Sequence, residues 1–231
     1  MIYGLIIISM VFGVLGSLVS SRLKSKFAKY SQIPTSSGLS GREVAQRMLS
    51  YYNINDVQIT QGKGRLTDHY NPKTKTVNLS PEVYGGRSVA AAAVAAHEVG
   101  HAVQHAEAYP MLQFRSAIVP IVNLSAKFQS MLFGFGFLLI GMGSGNGSIV
   151  LILAIAAFAV TALFSLVTLP VEYDASNRAL KWLETSNITL GVEHQGAKDA
   201  LKWAARTYLV AALAAVAQLL YLVFIFMGSR D

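Results

Sequence analysis

Four stretches of this chain, residues 2–19, 118–142, 149–169 and 208–227, are apolar for long enough to cross a bilayer. A segment in lipid must satisfy its own backbone, so each is expected as a helix. In the first, positive charge follows the apolar run at Arg22, Lys24, Lys26 and Lys29 instead of preceding it. That order reads as an uncleaved signal-anchor. The second carries Asn123, Lys127 and Gln129 in its first half, the third is clean, and the fourth has Gln218 as its one strongly polar interior residue. A composition of 53% hydrophobic and 13% charged residues, with a mean hydropathy of +0.44, agrees with a membrane protein. The net charge of +7 suggests nucleic acid at first sight, but the basic residues gather beside the spans, so no nucleic-acid partner is expected. The Arg22–Lys29 group and Arg178, Lys181, Lys198, Lys202 and Arg206 flank the spans on one side, whereas loop 143–148 is uncharged. The positive-inside rule then puts both termini outside and residues 21–117 in the cytoplasm.

Between the first two spans lies the stretch that carries chemistry, His97-Glu98-Val99-Gly100-His101. Ser88 is a good N-cap and the alanines of 89–96 are the best helix formers, so the motif is expected on a helix over 88–106. On a helix, histidines four apart are about 6 Å apart along the axis and roughly 40° around it, so both can reach one ion. Zinc accepts imidazole nitrogen, and a catalytic site uses three protein ligands and an open position for water. Glu98 is placed to accept that water's proton. This is the HExxH pattern of zinc-dependent peptidases. The plainer reading, a polar helix face with satisfied histidines, does not account for the alanine-rich setting. The chain has no cysteine, so zinc would have to be held by His, Glu or Asp.

Around the motif, residues 31–39 read as a linker and Ser40–Glu43 as a capping box opening a helix to about residue 52. Residues 57–59 are a short strand, and 65–70 with 75–79 a β-hairpin. Such a hairpin offers an edge on which a peptide could pair as an added strand, although an ordinary structural hairpin has the same pattern. His69 within it reads as a surface or packing histidine. His105 lies about 12 Å along the helix from His97, too far to share an ion with it, and reads as a residue beside the ligands or the substrate, with an ordinary surface histidine as the alternative. Gln104 and Glu107 stand where a metzincin would need glycine and histidine, which rejects that class.

The third ligand must come from elsewhere. After the third span, Pro170 opens a helical stretch in which Glu172 and Asp174 are both candidates, roughly 200° apart around the helix. Two crossings separate them from His101, which returns the chain to the side it left. His194 is a candidate oxyanion stabiliser, against a default of surface histidine.

These residues resemble the YugP-type bacterial membrane zinc metallopeptidases. The likeness rests on the N-terminal anchor, Leu66-Thr67-Asp68-His69-Tyr70, His97 to His105, and Leu169-Pro170-Val171-Glu172-Tyr173-Asp174-Ala175-Ser176. The layout is more distantly similar to heat-shock membrane proteases and prenyl-protein proteases, with HExxH on one helix and a glutamate ligand on a later one. The resemblance implies a zinc site of His97, His101 and Glu172 with Glu98 as catalytic base. Those relatives carry an aspartate four residues after the ligand glutamate; here that position is Ser176.

The expected fold is a mostly α, polytopic membrane protein of about four transmembrane helices with a small α+β, zincin-like catalytic insert. Its parts are an anchor (1–20), a cytoplasmic insert (21–117), a transmembrane hairpin (118–169), a cytoplasmic segment with the third ligand (170–206) and a C-terminal span and tail (207–231). The expected activity is zinc-dependent endopeptidase cleavage of a peptide or protein substrate in a multi-pass protein of the cell membrane, with membrane lipid as its other partner. The rival is a non-enzymatic scaffold or quality-control adaptor in which zinc ties helices together; a base at Glu98 and an open fourth position would be of no use to it.

Overall fold

The computed structural model describes residues 2–142 and 146–228. Its elements run α1 (Ile2–Ser31), α2 (Gly41–Tyr51), β1 (Gln58–Gln61), β2 (His69–Asn71), β3 (Thr76–Leu79), α3 (Pro81–Tyr84), α4 (Val89–Ala106), α5 (Pro110–Gly141), α6 (Asn146–Thr185) and α7 (Gly191–Gly228). The protein is mostly helical with one small sheet. By contact it divides into two compact units, one of Met1–Ser17, Phe114–Leu169 and Tyr208–Asp231, the other of Leu18–Gln113 and Pro170–Thr207.

The first unit is built from the apolar stretches. Among the described residues three helical segments are long and apolar enough to cross a membrane, Tyr3–Ser31, Gly147–Thr185 and Gly191–Gly228. The fourth expected span, 118–142, falls on α5, which is not one of the three. Within that stretch the side chains at 130, 137 and 140 lie outside the described residues. So do residues 143–145, most of the loop expected uncharged at 143–148. Large apolar side chains such as Ile7, Met10, Val14, Leu220 and Phe224 are exposed, as lipid-facing residues would be. Gln218 donates to the Ser9 hydroxyl at 3.1 Å, and the Tyr221 ring lies where a Cβ on Gly4 would stand, so α1 and α7 meet through a small residue and a polar pair.

The second unit holds the remaining elements around one core. Helix α1 does not stop at residue 20 but continues through the basic segment to Ser31, because Arg, Lys and Ala there are good helix formers and no Gly or Pro intervenes. The capping box at Ser40 is present in full: the Ser40 side chain accepts from Glu43 N–H, and the Glu43 carboxylate accepts from Ser40 N–H at 2.7 Å. Val44, Ala45, Met48 and Leu49 of α2 are buried with Val77, Leu79, Val83 and the alanines of α4. Alanine faces admit close neighbours, so α4 is buried along almost its whole length.

The sheet has the order β1-β3-β2, with β1 parallel and β2 antiparallel to β3. The hairpin is shorter than the sequence suggests. Gly64 and Leu66 take positive φ, and the Asp68 carboxylate accepts from the Ser80 N–H (2.7 Å) and hydroxyl (3.1 Å), which draws 65–68 out of the ladder. Burial pushes the Asp68 carboxyl above the usual range against the pull of those bonds.

Candidate metal centre

Ser88 caps α4 by accepting from Ala91 N–H, and the helix carries His97 and His101 one turn apart with ring centroids 4.8 Å from each other. Glu172 arrives on α6. The sequence suggested a helix newly opened at Pro170, but α6 runs unbroken from Asn146 to Thr185 with Pro170 inside it. The ring removes one N–H from the ladder, a loss that apolar helices tolerate where neighbours take up the freed groups. Glu172 is therefore held mid-helix, not at a positively polarised N-terminus.

The His97 and His101 Nε2 atoms lie 3.4 and 3.6 Å from the same Glu172 Oε2, and the three ligand atoms fall within 4.8 Å of one another. Donors about 2.0–2.1 Å from a tetrahedral ion are roughly 3.3 Å apart. The three side chains thus stand at ligand spacing, and all are largely or fully shielded from solvent. The chemistry of the set fits zinc: two borderline nitrogens and one carboxylate, with no further protein donor among the described residues to close the fourth position.

The other ring nitrogens are engaged. His97 Nδ1 is 3.1 Å from the Ser176 hydroxyl, and His101 Nδ1 is 3.0 Å from Gln104 Oε1. Gln104, wholly buried, donates from Nε2 to the Val171 carbonyl and to Asp174 Oδ2, both at 2.8 Å. Asp174 also accepts from Arg178 Nε, and the same guanidinium reaches Glu107. Burial opposes a charged ring at His101, but the Glu172 carboxylate, then Glu98 and Gln104, outweigh it and raise its affinity for a proton. A cluster of acceptors facing inward asks for a cation, and a proton is the smallest one that answers. Glu98 is buried close enough to His101 for its charge to favour a proton on that ring.

The helices approach closely here. A Cβ on Gly100 would stand 2.6 Å from the Ala175 carbonyl oxygen, so the glycine inside HExxH is what lets α6 lie against α4. Of the two acids open in the sequence, Glu172 joins the histidines and Asp174 faces Gln104. The remaining histidines lie apart from this cluster. His105 Nδ1 is 2.8 Å from the Tyr70 hydroxyl, linking β2 to α4; burial, and then Asp56, push that phenol up to about 12. His69 is exposed beside the Thr67 carbonyl, and His194 pairs with Thr189 and Glu184 rather than with the site. Sequence reasoning missed Gln104 and Ser176 as supports. Their signals were spacing alone: Gln104 three residues after His101, Ser176 four after Glu172.

The sequence model of a family described as "Putative neutral zinc metallopeptidase" matches residues 5–227 of this chain. A relative described as "Putative membrane protease YugP", from Bacillus subtilis (strain 168), is 43% identical over 210 residues, 91% of each chain. No solved structure matches.

Proposed function

This chain belongs to that neutral zinc metallopeptidase family, and from this premise we propose that it is a membrane-embedded zinc-dependent endopeptidase. The observation that carries the reading is the placement of His97 and His101 Nε2 around one Glu172 oxygen with both Nδ1 atoms otherwise occupied. The zinc these three residues would hold supplies a Lewis acid for the scissile carbonyl and lowers the pKa of water. Glu98 then accepts a proton from the attacking water as its oxygen bonds to the carbonyl carbon. It returns that proton to the amine nitrogen as the C–N bond breaks. Burial of Glu98 beside the ligand histidine His101 suits a group that makes this transfer. The free edge of β2, tied to α4 through Tyr70 and His105, suits an extended peptide in main-chain pairing. Membrane-associated protein is the substrate class that fits a protease with apolar spans.

Glu98→Gln tests the mechanism. The variant should keep its zinc and lose hydrolysis by about 10²–10⁴-fold, the usual worth of a general base. Metal analysis and a peptide-library assay on the same preparation measure both. Absence of cleavage by the parent protein would favour the scaffold, and unaltered cleavage by the variant would exclude Glu98 as the base.

Zinc uptake should depend on pH with a fixed sign. The ion must displace the proton that the raised affinity of His101 invites. Binding therefore weakens as pH falls, and the weakening begins above the ordinary imidazole range near 6.5. Zinc titrations at stepped pH, read by a competing chromogenic chelator, check this.

The same cluster supports four crossings. If α6 spans the bilayer, one more crossing must lie between His101 and Glu172 for the two to meet, and α5 is the helix available. With the basic segments retained inside, the site would face the cytoplasm. Reporter fusions that place residues 22–29 outside would overturn this topology.

A further inference from the structure

The hydrogen bonds around Gln104 determine more than the ring angle of His101. On one side of the amide stand the Val171 carbonyl oxygen and Asp174 Oδ2, each 2.8 Å from Nε2. A carbonyl cannot donate, and this carboxylate oxygen already accepts from the Arg178 guanidinium. Both positions therefore demand N–H, and an amide has only one end that supplies it. The carboxamide orientation is thus dictated by its partners, which leaves Oε1 toward His101 Nδ1 at 3.0 Å. An oxygen there accepts only, so this bond is made by the His101 tautomer protonated on Nδ1; the Glu172 carboxylate, at the longer distance of 3.6 Å from Nε2, is the competing acceptor for that proton. His97 differs. Its Nδ1 partner is the Ser176 hydroxyl, which donates or accepts equally well and imposes no tautomer.

We infer that Gln104, held by Val171 and by the Asp174–Arg178 pair, is a positioning residue that fixes the metal-binding tautomer of His101 before any ion arrives. The inference rests on the zinc reading above only for its purpose; the tautomer itself is a property of the metal-free fold. It also gives the acid at position 174 a role at one remove: its oxygen reaches the ligand histidine through an amide. The free energy of choosing between tautomers is then spent in folding, and the ring meets the ion ready to bind.

Nitrogen NMR of the metal-free full-length protein in detergent, with ¹⁵N-labelled histidine, reads this directly. The chain has five histidines, and the His101 signals are assigned by their loss in His101→Gln. At alkaline pH the wild type should show His101 protonated on Nδ1. Gln104→Met, which removes the acceptor at similar length, should shift the ring toward the Nε2–H form and weaken zinc binding by about 10- to 100-fold. Circular dichroism confirms that the Met variant is folded, and if it is not, the wild-type spectrum decides. A wild-type His101 protonated on Nε2, or a folded Gln104→Met with an unchanged tautomer, overturns the inference. The expected tautomers in a protein that never takes up zinc would uphold it and instead overturn the zinc reading.

Discussion

Glu172→Ala is expected to leave the purified protein without zinc and without peptidase activity. The carboxylate oxygen is the point on which both imidazoles converge, at 3.4 and 3.6 Å, and no other acid joins the two histidines among the described residues. Its loss should cost more affinity than the roughly 10- to 100-fold typical of a hydrogen-bonding partner behind a ligand. Asp174→Ala is the internal comparison. It removes one of two acceptors that orient Gln104, with Val171 remaining, so zinc should be retained with affinity reduced at most within that range. Metal content and chelator competition on both variants separate them. Full zinc and normal turnover in Glu172→Ala would exclude it as a ligand.

Gly100→Ala should do comparable damage from a position that touches no metal. In an ordinary helix interior this change stabilises by about 1 kcal/mol, because glycine is the poorer helix former. Here the new Cβ would fall 2.6 Å from the backbone oxygen of Ala175, and backbone cannot swing aside as a side chain can. Helix α6 must shift, and Glu172 lies on that helix three residues before the contact. The expected result is the opposite sign, a loss of about 1–3 kcal/mol from overpacking together with a marked fall in zinc content. Thermal unfolding in detergent and metal analysis measure the two effects. A Gly100→Ala protein that melts higher and keeps its zinc would show that the helices do not meet there.

Much of the local structure was legible in the chain because its causes are local. Ser40 and Glu43 announce a capping box three residues apart, and the structure contains it. The alanine run after Ser88 announces the helix that bears the motif, with its N-cap in place. Where the local rules conflicted with long-range packing, they lost. Pro170 reads as a helix start, yet α6 continues through it. The hairpin reads as beginning at residue 65, but Asp68 bonds Ser80 instead and its strand starts at His69.

By itself the sequence determined the motif helix, the common face of His97 and His101, the position of Glu98 beside them and the apolar segments that flank the insert. Each depends on residues within about one to five helical turns, where the 3.6-residue period decides which side chains are neighbours. Only the tertiary structure set Glu172, and not Asp174, beside the histidines, recruited Ser176 to His97, and turned Gln104 from an apparent misfit into the support of His101. Those contacts join residues 67 to 79 positions apart, and no periodicity reaches that far. They exist because Gly100 lets α6 approach α4 within backbone contact, so that which acid faces the histidines depends on how one helix is rotated against the other.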